Sequence, residues 1–438
     1  MKRFLTLAVT MLLVLSMFAG IAASANAEKP EIVITIPSYF AGENVNALMF
    51  LPMVERFNQE YENRYRIVVE ELVMTEYGDK IMLLAQTGKL PPLIHGNGVA
   101  VDWTRQVIIP NELFYDLKPW LDERPELLSR CIAESINFNT VDGKVVGMPF
   151  AIFTPIGLYY NETMFQPSKP IGDMSMDEFV AELGDNKIAF MTAENAWCIN
   201  LFQTAIIGAM DGGQEYLRDH LIDKVMDFNN EYWIESFRIL QKLLQDTMTP
   251  NTVGAFYEEA ANAFMSKNAA VIANGPWMVG DFIEETGGDK WSNGFTGDQV
   301  RGAAYPGNIV CGNPYEFGWI VPSTISDDER EVALAFLEFM YRVEEIEEHL
   351  LIVGGAAPNV PLSDSFLARR AEDRLMSEYL SAMKSDTLIV SICGSSMPSS
   401  ITVPEYGKLM PLLIDGTYTP EQMCQELTKK AAEFAYDD

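Results

Sequence analysis

The stretch AAVIANGPWM, residues 269–278, mounts a tryptophan on a rigid stop. Ala270 to Ala273 read as a short buried strand, and Asn274, Gly275 and Pro276 then end any regular structure. Trp277 follows at once. A core tryptophan needs no such mounting, whereas a ring meant to lie flat against something small does. Asp102 and Trp103 offer a related arrangement, in which the carboxylate accepts from two hydroxyls while the indole stacks. The plainer alternative is a helix start capped by Asp102. Glu194, Asn195 and Trp197, in TAENAWC, form a third group, set against an N-cap beside a core tryptophan. Tyr39 and Phe40 close the first strand, where a buried strand normally gives way to polar residues. Asn313, Tyr315 and Glu316, in the glycine-bounded loop CGNPYEFGW, and Tyr406, after GSSMPSSITVPEY, complete the aromatic and amide set. An ordinary turn accounts for these last four equally well. His95 ends the third strand and is a candidate hydrogen-bonder to a ligand, not a metal ligand. Aromatic faces with scattered carboxylates and amides are the chemistry of binding a hydroxyl-bearing solute.

Catalytic signatures do not accompany these groups. The chain lacks G-x-S-x-G, H-E-x-x-H, G-x-x-x-x-G-K-[ST] and an EF-hand loop. With only His95, His220 and His349, histidine-based catalysis has few candidates. A secreted glycoside hydrolase needs only two carboxylates, and 62 acidic residues leave that alternative open.

The elements that must position these residues follow from periodicity. EIVITIP (31–37) and YRIVVEELV (65–73) read as strands, with helices over Met49 to Tyr61 and from Tyr77 to a stop at Gly88. PPLIHGNG (91–98) reads as a third strand running into glycines. The pattern is βαβαβ, a parallel sheet with helices on both faces, and such sheets bind small ligands outside the carboxyl ends of their strands. Residues 326–350 carry one long amphipathic stripe through Val332, Phe336, Phe339, Val343 and Ile346. The last helix spans 419–434, with Thr419 as N-cap, Pro420 at the first helical position and Gln422 completing a capping box. There is no internal repeat, low-complexity tract or long linker.

Composition bounds the setting. Lys2 and Arg3, the apolar run from Phe4 to Ile21 and Ala25-Asn26-Ala27 have the form of a secretory signal peptide cleaved before Glu28. No cysteine lies near the cut to carry a lipid. What remains of the 438 residues is too long for one core and fits two domains. A net charge of −31 disfavours nucleic acid and anionic membrane surfaces as partners. Five cysteines without a C-x-x-C are neither a disulfide framework nor a zinc spacing, and most read as buried apolar residues.

Several stretches, in order along nearly the whole chain, resemble the extracellular solute-binding proteins of family 1, the maltose-binding-like receptors that feed ABC importers. They are DGKVVGMPFAIFTPIGLYYNETMF (142–165), AFMSKNAAVIANGPW (263–277), GWIVPSTISDDEREVALAFLEFM (318–340), GGAAPN (354–359) and LLIDGTYTPEQMCQEL (412–427). The resemblance implies a two-lobed α/β periplasmic-binding-protein fold, each lobe a mostly parallel sheet flanked by helices, with the ligand cleft between the lobes. After the signal peptide 1–27, lobe 1 would take 28–152 and 305–342, and lobe 2 would take 153–304 and 343–438, with crossings near Ile152, Tyr305 and Arg342. It places Trp277 on the cleft wall, where a sugar's C–H face stacks on the ring. Ile152 and Phe153 are apolar where some sugar-binding members place a carboxylate. The implied activity is capture of a sugar or oligosaccharide and delivery to a membrane permease, by a periplasmic or extracellular protein, a monomer without cofactor or metal. Glycerol 3-phosphate and polyamines are the other ligand classes. A phosphate would want a cation near the candidate loops, where only Arg105 stands.

Overall fold

The computed structural model describes residues 30–433 apart from 43, 313, 383, 385, 403 and 404. The expected signal peptide and Asn313 lie outside the described residues. Apolar side chains sort into two bodies. One gathers Ile34 to Ala151 with Phe317 to Phe366 in two adjoining clusters that Phe40 bridges. The other gathers Ile156 to Cys311 with Leu375 to Ala431. Each lobe is thus built from two separate parts of the chain.

In the first lobe, Ile32–Ser38 pairs in parallel with Tyr65–Glu71, as alternating β-branched residues predict. Helix Ala47–Glu60 buries Phe57 against this sheet's neighbours, with its ring 5.2 Å from that of Phe336. The expected third strand shrinks to Ile94–His95, which runs antiparallel to Trp319–Ile320, and Gly96–Gly98 turns away at once. Gly96 leaves no alternative, since a Cβ there would stand 2.1 Å from the Gly318 carbonyl oxygen.

The four-stranded sheet of the second lobe runs Ile188–Ala189, Val271–Asn274, Gly157–Asn161, Val300–Ala303. The first two are parallel. Gly157–Asn161 enters from the first lobe and runs against both its neighbours, so the pairing is mixed. Ile309–Cys311 and Leu388–Val390 pair in parallel beside it. Helix Trp197–Gly208 lies at the centre of this lobe and is buried along almost its whole length, its polar Asn200, Gln203 and Thr204 included.

The lobe limits differ from the expected ones at two of three crossings. Tyr305, Ile309 and Cys311 pack in the second core, and Ile346, Leu350, Val360 and Phe366 in the first. The long stripe over 326–350 is two helices, Asp327–Met340 and Val343–Ile352, both in the first lobe. Tertiary bonds break it. Arg130 donates to the Tyr341 carbonyl, Tyr341 Oη donates to the Pro149 carbonyl at 2.6 Å, and Arg342 grips both oxygens of Glu60 at 2.7 Å. The first crossing segment is braced by bonds between Phe153 and Ala356 of the first lobe and between Ile156 and Cys311 at the second crossing. The expected capping box of Thr419 with Gln422 forms, and Ser326 with Glu329 makes another at the start of Asp327–Met340.

Candidate functional site

Trp277 sits where the two bodies meet. Val271–Asn274 is buried throughout, Gly275 and Pro276 turn the chain into a short 3-10 helix over Pro276–Phe282, and the indole emerges half-buried. Among the described residues it alone packs against the cores of both lobes. Its Nε1–H donates to Tyr257 Oη at 3.2 Å. That hydroxyl also meets the Asn274 side chain, accepting from Nδ2 at 2.9 Å and lying 3.2 Å from Oδ1.

Beside it in the second lobe, Glu194 and Ala196 both adopt left-handed backbone, with φ of 56° and 49°. This tight loop ends the strand Ile188–Ala189 segment and starts the central helix. Glu194 is exposed, Asn195 and Trp197 half-buried, and Trp197 leans on the second core. Partial burial raises the Glu194 pKa, with Glu259 and Glu258 adding to the rise, while the Tyr257 backbone N–H opposes it. Gly407 packs under this loop, 2.4 Å from a would-be Cβ to the Thr192 carbonyl oxygen. A shallow groove of about 420 Å³ runs from Glu194 past Val253, Gly254, Lys408 and Pro411.

In the first lobe the outcome is different. His95, expected as a ligand contact, is 1% exposed. Its Nε2 lies 2.9 Å from Ser38 Oγ, its backbone N–H donates to Tyr77 Oη at 2.8 Å, and the rings of Tyr39, Phe40, Phe50, Tyr77 and Trp319 surround it. Desolvation holds its pKa well below the ordinary 6.5. Tyr39 is 5% exposed and belongs to the same cluster, while Phe40 stays half-buried at its rim. Tyr406 is fully buried, and its hydroxyl donates to Gln203 Oε1 in the second core. His95, Tyr39 and Tyr406 are core residues: His95 Nε2 and Tyr406 Oη have protein partners, as burial demands, and Tyr39 is enclosed by the rings around His95. Trp103 is half-buried against the first lobe, as is Tyr315, whose ring lies 6.2 Å from Phe138. Glu316 is half-buried with its carbonyl taken by Asn139 Nδ2 at 3.0 Å.

Asp102 does something other than cap its own helix. Its Oδ1 accepts from the Trp103 N–H at 3.0 Å, but Oδ2 accepts from both the N–H and Oγ of Ser399, at 3.1 and 2.8 Å, across the gap between lobes. Arg105 stacks between Phe138 and Phe317, its Cζ 5.0 and 5.4 Å from their centroids. Lys224 of the second lobe donates to the Leu221 and Ser395 carbonyls. Burial lowers its pKa to about 8, against the pull of Asp102 and Glu316.

Sequence reasoning missed Tyr257, Ser399 and Tyr379. Tyr257 had a signal, an aromatic pair at a helix start with Glu259 capping back onto Phe256. Ser399 follows Pro398 in a serine-rich run, a plain helix start. Tyr379 lies on an ordinary amphipathic helix, Arg374–Ser381, and nothing local marks it.

No group of acidic, histidine and cysteine side chains among the described residues could hold a metal ion. No curated protein sequence matches the chain. Solved structures do. A chitin oligosaccharide binding protein superposes with a TM-score of 0.74 at 20% identity, covering 92% of this chain and 98% of its own. A Streptococcus pneumoniae solute-binding protein in complex with the blood group A-trisaccharide gives 0.68 at 17%, covering 91% and 98%. The maltose/maltodextrin-binding domain MalE from Bdellovibrio bacteriovorus bound to maltotriose gives 0.65 at 16%, covering 93% and 100%. At these identities the likeness establishes the two-lobed fold. Residues 52–366 match the family of bacterial extracellular solute-binding proteins, most of the chain, and the protein belongs to that family.

Proposed function

We propose that the protein captures a sugar or oligosaccharide between its lobes and presents it to the membrane permease of an ABC importer. One observation carries this reading: Trp277, half-exposed on a rigid mount, is the described side chain that touches both cores. A ring in that position can stack on a sugar face and be covered when the lobes close. The solved relatives named above bind chitin oligosaccharides, a blood-group trisaccharide and maltotriose, which supports the same ligand class here. Glu194, Asn195 and Trp103 flank the gap as hydroxyl partners and a second stacking surface. Arg105 is stacked on two phenylalanines, an arrangement that disfavours glycerol 3-phosphate. The role is binding without turnover. Cleavage before Glu28 would release a monomer outside the cytoplasm, and no described helix is long and apolar enough to cross a membrane.

Among the described residues the lobes comprise 30–152 with 312–372 and 153–311 with 373–433, hinged at the three crossing segments. A thermal-shift and calorimetric panel of maltotriose, raffinose, triacetylchitotriose, xylotriose, glycerol 3-phosphate and spermidine tests the reading. Binding to the folded state raises the melting temperature by linkage. A saccharide that binds and is recovered unchanged supports it. Binding confined to the phosphate or the polyamine, or hydrolysis of the saccharide, overturns it.

A further inference from the structure

We propose that Gly275 and Tyr257 are positioning residues for recognition: together they fix the tilt of the Trp277 ring, and that tilt sets the affinity for a flat ligand face. The proposal rests on Trp277 being the stacking platform.

The backbone of Gly275 is extended, with φ −99° and ψ 178°, a conformation any residue adopts. Yet a Cβ built there would stand 2.2 to 2.5 Å from Cζ3, Cη2 and Cε3 of the Trp277 ring. The glycine is therefore required by the indole lying against it and not by the chain's path. At the ring's other end the indole N–H donates to Tyr257 Oη, and the same hydroxyl holds the Asn274 amide that begins the turn. Asn274 in turn accepts the Gly275 N–H through Oδ1 at 2.9 Å. One face rests on a glycine and the polar edge is tied, so a single ring orientation remains.

Beneath the ring, the turn is fastened to the hinge. Tyr159 Oη donates to the Gly275 carbonyl at 3.0 Å. Tyr379 Oη, stacked 4.8 Å from Tyr159, shares its proton between the carbonyls of Asn274 (3.0 Å) and Pro155 (3.1 Å) and accepts from the Gly157 N–H. Pro155 and Gly157 belong to the first crossing segment. From the first lobe, Gly354 presses on Pro276 so closely that a Cβ would sit 2.4 Å from it. The mount thus moves with the hinge, and the ring moves with the mount. Preheld groups lose less freedom on binding, which is the physical gain of such a device.

The test uses the full mature chain with Tyr257→Phe, Gly275→Ala, Trp277→Phe and the double change Tyr257→Phe/Trp277→Phe. Two readouts are taken, the Kd for whichever of maltotriose, raffinose, triacetylchitotriose or xylotriose binds the unmodified protein, and the near-ultraviolet dichroism band that Trp277→Phe removes. Tyr257→Phe should weaken binding about fivefold and Gly275→Ala about tenfold, as expected for a lost hydrogen bond and a displaced ring. Both should distort the Trp277 band while melting close to the unmodified protein, and the double variant should bind no worse than Trp277→Phe alone. Unchanged Kd and band in both single variants would overturn the proposal, as would full additivity in the double variant. If Trp277→Phe itself binds normally, or none of the four saccharides binds, the platform reading fails instead. The band then decides positioning by itself, its loss in the single variants supporting the mount and its retention refuting it.

Discussion

Two strand ends in this molecule are rich in aromatics, and they have opposite fates. At the end of the first-lobe sheet, Tyr39, Phe40, Phe50, Tyr77 and Trp319 close over His95 and bury one another. At the end of the second-lobe sheet, Tyr257, Tyr159 and Tyr379 turn their hydroxyls to backbone and indole, and leave one ring half out. The first set packs ring on ring, with the Tyr77 hydroxyl and Ser38 turned to His95, and offers no platform. The second spends its hydroxyls on holding a residue still. What separates a site from a core is thus what the hydroxyls and the glycine do, not how many aromatics stand at a strand's end.

Substitutions on the two sides should separate this most sharply. Tyr39→Ala removes a buried ring and should cost about 3–5 kcal/mol of stability, read by chemical denaturation, while folded protein binds as before. Trp277→Ala should do the reverse, weakening saccharide binding by about 2 kcal/mol, roughly thirtyfold, with the smaller change in melting. A Trp277→Ala protein that unfolds easily yet binds normally would make the two ends alike and erase the distinction.

Acid should act through the first lobe. His95 is held neutral by burial, and His349 has its pKa pushed down to about 4 by the same cause. Below 6.5 the unfolded chain takes up protons that the folded chain does not, so stability falls as pH drops from 6.5 toward 4. Each such histidine contributes about 1.4 kcal/mol per pH unit within its window. Above 6.5 neither contributes a slope. Denaturation midpoints between pH 7 and 5 should show the fall, and His95→Gln should remove about half of it. A flat profile would mean that water reaches the cluster.

The smallest expected effect is at the lobes' edge. Asp102→Ala deletes the acceptor for both Ser399 donors and should cost about 1 kcal/mol, taken from closure and not from folding. Small-angle scattering of the ligand-free variant should show a larger radius of gyration at an unchanged melting temperature. Equal scattering curves would show that Asp102 and Ser399 merely meet.

Much of the fold was legible because its signals are local. Alternating β-branched residues marked Ile32–Ser38 and Tyr65–Glu71, threonine with glutamine marked the start of the last helix, and the stop at Asn274-Gly275-Pro276 marked the strand before Trp277. What stayed hidden depends on partners far along the chain. The stripe over 326–350 is continuous in sequence, and only Pro149, Arg130 and Glu60 break it. His95 and Tyr39 carry no local mark of burial, which Tyr77 and Trp319 impose. Asp102 reads as a cap within its own segment, and its second oxygen is claimed by a serine 297 residues away. Tyr257 could have been suspected at its helix start, whereas Tyr379 is tied to the hinge by folding alone.

The divided cores carry a consequence for how the molecule is made. Arg56 meets Glu345 across 289 residues, and the first-lobe core is not complete until Phe366 has joined it. Neither lobe can therefore seal while the chain is still emerging from the ribosome. Contacts so distant in sequence are slow to form, since a long loop must be closed before any burial rewards it. Folding of either lobe must therefore wait for the second half of the chain.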